Sequence, residues 1–155
     1  MAVRNRFRAG YEPNNDYYTP AEVFEKLDLE FDLDVCAPEI KPDWIKAKRH
    51  FWIELDGLAQ EWEGRVWMNP PYSAANPWHE KFLAHRNGVA LVQVSRNKSF
   101  RKLWDEADAV LLMPHNFKFV RPDGSLKEIF MPVALIAMGQ DNVMALHKTN
   151  YGKVR

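Results

Sequence analysis

Apolar positions along the chain switch between helical and strand spacing, and each switch marks a new element. Val23, Phe24 and Leu27 share one helical face behind Thr19-Pro20-Ala21-Glu22. That run reads as a capping box, with Thr19 at the N-cap, proline at the first helical position and Glu22 three residues on. Phe31, Leu33 and Val35 then alternate with Asp32 and Asp34, which predicts a strand. Arg65 to Met68 is a short apolar strand after the Glu63-Gly64 turn, and Asn76-Pro77 opens a helix through Phe82 and Leu83 to about Asn87. Gly88 to Val94 is continuously apolar and predicts a strand buried on both faces. A helix over Phe100 to Glu106 and a buried strand over Ala109 to Met113 follow. The last third carries a hairpin signature: Asn116 to Val120 alternates, Asp123-Gly124 forms the loop, and Phe130 to Met138 is a long apolar strand with Pro132 near its start. The fold class expected is α/β, a mostly parallel sheet closed by an antiparallel hairpin.

No internal repeat, low-complexity run or Gly/Ser-rich linker divides the 155 residues, so one domain over residues 15–155 is the simplest account. Residues 1–14 show no apolar periodicity and read as a flexible arm. Arg4, Arg6 and Arg8 stand there without an apolar stretch beside them, unlike a signal peptide. No apolar run reaches the roughly 18 residues of a spanning helix. Cys36 is the single cysteine, which excludes an internal disulfide and suits a reducing cytoplasm. The five histidines show no metal-ligand spacing, so no metal is expected.

Asn69-Pro70-Pro71-Tyr72 carries the strongest chemistry. It places a side-chain carbonyl, a rigid turn and an aromatic plate at the carboxyl end of a strand, where open α/β sheets bind ligands. A conjugated exocyclic amine is a poor nucleophile because its lone pair is delocalised into the ring. The Asn69 amide oxygen and the Pro70 carbonyl can each accept one N–H and draw the nitrogen towards tetrahedral geometry, while Tyr72 stacks on the ring. The two prolines hold these carbonyls in place.

The segment Val66 to Ser73, with Asn15 to Pro20 and Leu33 to Ala37 before it, resembles the small phage-type DNA N-6-adenine methyltransferases, the Dam-like family, from about Asn15 to about Met138. The resemblance implies a compact Rossmann-like class I methyltransferase fold without a separate target-recognition domain. It further implies methyl transfer from S-adenosylmethionine to the N-6 amine of a flipped adenine in DNA, in the cytoplasm (the host's, for a phage-encoded chain). Asn69, Pro70, Pro71 and Tyr72 would be catalytic. Tyr18, Thr19 and Pro20 would meet the cofactor's methionine end, where a helix N-terminus offers N–H groups. Asp34 would take its ammonium, Cys36 and Ala37 would form a small-residue wall, Asp56 would accept from its adenine amine, and Asn69 also borders it. Phe117 and Phe119 would flank the target base opposite Tyr72. One departure stands out, since no Gly-x-Gly follows the first strand.

Net charge is zero, with 21 basic and 21 acidic side chains, so any DNA surface must come from distribution. Lys46, Lys48 and Arg49, interleaved with aromatics, and Arg96, Lys98 and Arg101 are the candidate phosphate contacts; both clusters also read as solvated faces. Two other functions fit the tetrapeptide: methylation of a glutamine amide or an RNA base, and nucleic-acid binding by an inactive relative. Sequence specificity would have to come from loops such as Lys41 to Leu55 or Ser95 to Arg101, and oligomeric state is not legible.

Overall fold

The computed structural model describes residues 17–155. The expected arm at residues 1–14, and Asn15 and Asp16 of the upstream motif, lie outside the described residues. The described helices are α1 (Ala21–Leu27), α2 (Asn76–His85), α3 (Lys98–Glu106) and α4 (Gln140–Lys148). The strands are β1 (Phe31–Asp34), β2 (Ala47–His50), β3 (Val66–Met68), β4 (Gly88–Gln93), β5 (Ala109–Leu112), β6 (Phe119–Val120), β7 (Leu126–Lys127) and β8 (Val133–Met138).

Six strands form a mostly parallel sheet in the order β2-β1-β3-β4-β8-β5. β2, β1, β3 and β4 run parallel, and β8 is antiparallel to both its neighbours, β4 and β5. Central strands covered on both faces must be apolar on both, and β4 and β8 meet that demand. Val89, Leu91, Leu135 and Ala137 join the core that holds Phe24 and Leu27 of α1 and Leu146 of α4. Ala90, Val92, Ile136 and Met138 join the core that holds Trp78 and Phe82 of α2 and Leu103 of α3. Trp67 of β3 fills the first core, packing edge-on against Phe24 at 4.7 Å and Phe31 at 5.5 Å between ring centroids. This double packing stiffens β3 directly before the tetrapeptide.

Three expectations need correction, and two elements were not foreseen. The antiparallel closure is not a hairpin between Asn116–Val120 and the last apolar strand. β6 pairs with β7 in a separate two-stranded sheet, and β8 inserts between β4 and β5. All six β8 side chains are buried, and only a central position covers both faces. Thr19 does not cap α1. The N-cap is Pro20, and no side chain among the described residues caps the helix start, because Thr19 lies one residue too early. Asn76 begins α2 rather than capping it, and its side-chain oxygen meets Ser99 instead. Finally, β2 and α4 went unanticipated. β2 is an edge strand with no buried side chain, and α4 buries only Asn142, Ala145 and Leu146, so neither shows a strong apolar period.

Candidate active site at the carboxyl edge of the sheet

β1 and β3 end side by side, with Asp34 in register with Trp67, so the turn after Asp34 and the tetrapeptide after Met68 open onto the same edge. Asn69 Nδ2 donates to the Tyr17 carbonyl at 2.7 Å. A backbone carbonyl can only accept, so this contact fixes the amide orientation and leaves Oδ1 on the other side. Pro70 is buried and rigid. Tyr72 lies in a single 3-10 turn, Tyr72–Ala74, and its hydroxyl donates over 3.4 Å to the Leu91 carbonyl. Burial pushes the Tyr72 phenol well above its ordinary value, so it stays protonated.

Phe119 is 0% exposed, and its ring meets Tyr72 edge-on at 6.0 Å, Tyr17 at 5.6 Å and Phe117 at 5.1 Å. It therefore offers no face to a base in this structure. Phe119 backs Tyr72 from the core, and Phe117 is half-buried beside it. β6 carries Phe119 at the end of the sheet because Tyr18 and Val120 exchange backbone hydrogen bonds at 2.7 and 2.9 Å. The Trp44 indole donates to the Thr19 carbonyl at 2.8 Å. Tyr17 to Thr19 is thus pinned to the tetrapeptide, the small hairpin and the loop before β2. Thr19 is buried, yet its hydroxyl oxygen has no hydrogen-bond partner among the described residues. α1 spans only seven residues, so its amino end makes a weak anion site and the Thr19 hydroxyl is the stronger polar feature.

Asp34 is 2% exposed, and burial pushes its carboxyl up to about 7, against the lowering effects of the Cys36 N–H at 3.1 Å and the Lys41 charge. A buried acid so placed gains most from a cation. Cys36 and Ala37 form the half-buried wall beyond it, and Ala37 donates to the Phe51 carbonyl at 2.8 Å. Asp56 is 0% exposed with φ at 51°, and its Oδ1 accepts from Leu58 N at 3.2 Å. Gly57 sits so close to the β1 turn that an added Cβ would lie 2.1 Å from the Val35 carbonyl oxygen. Only glycine lets the Asp34 and Asp56 turns touch.

The basic residues divide. Lys46 and Lys48 precede the carboxyl end of β2, away from the tetrapeptide, and Lys48 pairs with Asp32 at 3.6 Å. Arg49 pairs with Glu63 at 3.8 Å and Arg101 with Asp105 at 3.0 Å. Arg96 and Lys98 are exposed and flank Asn97, which lines a cleft of about 330 Å³ together with Pro71, Tyr72, Asn76, Leu58 and Trp78. The sequence marked Ser95 to Arg101 only as a loop able to set specificity, without separate roles for Asn97 and Ser99, and gave His79 none. Asn97 directly before a helix was readable as an N-cap, whereas the His79–Ser99 contact joins two helices and has no local signal.

A mostly parallel sheet with a fixed amide, two buried carboxylates and an aromatic ring at its carboxyl edge defines a mixed α/β protein compatible with a methyltransferase fold. A family model described as DNA N-6-adenine-methyltransferase (Dam) matches residues 10–125, and the chain belongs to that family. The DNA N-6-adenine-methyltransferase of Haemophilus phage HP1 (strain HP1c1) is 40% identical over 65 residues, which cover 39% of this chain and 36% of that protein. The match thus spans about a third of that relative's length.

Proposed function

We propose that this chain is an S-adenosylmethionine-dependent methyltransferase of Rossmann-like class I architecture that modifies the N-6 amine of a flipped adenine in DNA. The observation that carries the reading is the Asn69–Tyr17 contact, which occupies the Asn69 NH2 group and leaves its amide oxygen as an acceptor one residue before the Pro70 carbonyl. Family membership supports it. Asn69 Oδ1 and Pro70 O accept the two amine hydrogens, localise the lone pair on nitrogen and take up positive charge as it develops. Tyr72 stacks on the ring. One stack contributes about 1–3 kcal/mol, which offsets much of the few kcal/mol that extrusion of a paired base costs. The proton acidified by methylation leaves to water or through Asn69.

The residues present fit the cofactor. The unpartnered Thr19 hydroxyl suits a carboxylate, the Asp34 carboxyl suits an ammonium, and Asp56 suits an exocyclic amine. Tyr18, Pro20, Cys36 and Ala37 complete the wall. When bound, S-adenosylmethionine supplies a methyl on a positively charged sulfur, an electrophile strong enough to need no metal. The test is transfer of labelled methyl to DNA, RNA and protein offered separately. Label in DNA adenine is expected; label confined to RNA or to protein contradicts the reading.

A further inference from the structure

The cleft begins where the tetrapeptide ends, for Pro71 and Tyr72 line it and Asn69 and Pro70 do not. About 330 Å³ lies at the small end of ligand pockets, room for one nucleotide unit rather than a second large ligand. No charged side chain among the described residues lines it. Beside the Ser73 hydroxyl, its polar side chains are two amides, Asn76 and Asn97, whose orientations are set from behind.

Asn97 caps α3: its Oδ1 accepts from Phe100 N at 2.9 Å and lies 3.2 Å from Ser99 Oγ. A backbone N–H can only donate, so the oxygen is committed to the helix and Nδ2 is left on the open side. Ser99 Oγ lies 2.7 Å from Asn76 Oδ1 and 2.8 Å from His79 Nδ1. With the one hydroxyl hydrogen given to Asn76, the shorter contact, His79 must donate from Nδ1. The ring is neutral, since burial pulls it down to about 4, and its Nε2 has no partner among the described residues. Asn76 therefore also keeps its NH2 group as a donor. Arg96 and Lys98, exposed and outside any ion pair among the described residues, bracket Asn97 with positive charge suited to phosphates.

We propose that this cleft reads the nucleotide next to the target adenine, with Asn97 and Asn76 as specificity-determining donors to acceptor atoms on its base edge. The proposal rests on the DNA-adenine reading above. Guanine suits it best, because O6 and N7 lie side by side and match two donors, whereas the amino groups of adenine and cytosine oppose them. Ser99 is the positioning residue for Asn76, whose oxygen takes its hydroxyl hydrogen, while the Phe100 N–H sets the orientation of Asn97.

The test is methyl transfer to oligonucleotides that carry one adenine and each of the four bases at each flank, for the wild type, Asn97→Asp and Ser99→Ala. Aspartate keeps the cap oxygen, so α3 remains capped, but replaces the donor with an acceptor. The wild type is expected to favour guanine at one flank by roughly tenfold in kcat/KM. Asn97→Asp is expected to shift that flank towards adenine or cytosine, and Ser99→Ala to narrow the preference. The relative order of contexts is the readout, because general weakening of DNA binding lowers all contexts together. No flank preference in the wild type, or an unchanged order in Asn97→Asp, overturns the proposal while the DNA-adenine reading stands. No adenine methylation on any oligonucleotide overturns both.

Discussion

Asn69 Nδ2 donates to the Tyr17 carbonyl at 2.7 Å, so the residue proposed to grip the substrate is aimed by a segment 52 positions earlier in the chain. Asn69→Asp keeps the size and the acceptor atoms but sets a carboxylate against a carbonyl. The amide lock is lost, and kcat is expected to fall by roughly a hundredfold or more. Single-turnover methyl transfer with DNA in excess checks this, and DNA affinity measured beside it is expected to change far less.

Asp34 predicts a pH dependence. Its carboxyl titrates near 7 in the free protein because it is buried, yet a bound ammonium requires the ionised form. Cofactor binding is therefore expected to tighten about tenfold per pH unit as pH rises towards 7, and to level off above it. Calorimetry across that range would show a proton released on binding, and Asp34→Asn would flatten the dependence. For the free protein the sign is reversed. A folded value raised above the ordinary 3.8 favours the fold at low pH, and that contribution is lost as pH rises through about 7.

These two residues also show how far the sequence could be read. Val66 to Tyr72 announced its own place, since a short apolar strand followed by Pro-Pro is local information. Asp34 at the end of an alternating strand was equally readable. The Asn69–Tyr17 contact was not, for nothing local connects the two. The burial of Phe119 was not legible either, because alternation marks a strand aromatic without saying which side is covered, and three rings surround it. β2 stayed hidden because an edge strand needs only its backbone ladder, and Ala47 to His50 buries no side chain. β8 was legible as an apolar run, but its partners depend on which strands need covering.

Tyr72 and Phe119 should separate cleanly. Tyr72→Phe keeps the ring and loses only a long hydroxyl contact of 3.4 Å, so activity is expected to stay within a fewfold. Tyr72→Ala removes the stack and is expected to cost about 10- to 100-fold in kcat/KM, in line with about 1–3 kcal/mol. Phe119→Ala leaves a cavity in the core and is expected to lower stability by about 3–5 kcal/mol. Urea unfolding distinguishes the two positions, since Tyr72→Phe should unfold near the wild-type midpoint.

Gly57→Ala tests the contact between the two acid-bearing turns. Its Cβ would meet the Val35 carbonyl oxygen at 2.1 Å and the Trp78 ring at 3.1 Å, so the turns must separate. Cofactor affinity is expected to fall at least tenfold, read by calorimetry, with a lowered melting temperature.

Salt dependence should map the DNA surface. Arg96→Ala and Lys98→Ala are each expected to reduce the slope of log affinity against log salt by about one. Lys46→Ala and Lys48→Ala, lying away from the carboxyl edge, are expected to leave it unchanged. Fluorescence anisotropy over a salt series checks both pairs.

The most direct measurement is methylation of DNA by the wild type and by Asn69→Ala, followed by mass spectrometry of the nucleosides. N-6-methyladenine from the wild type, reduced by roughly a hundredfold or more in the variant, is the result predicted. Methylated cytosine, or equal yields of methyladenine from both proteins, would contradict the account.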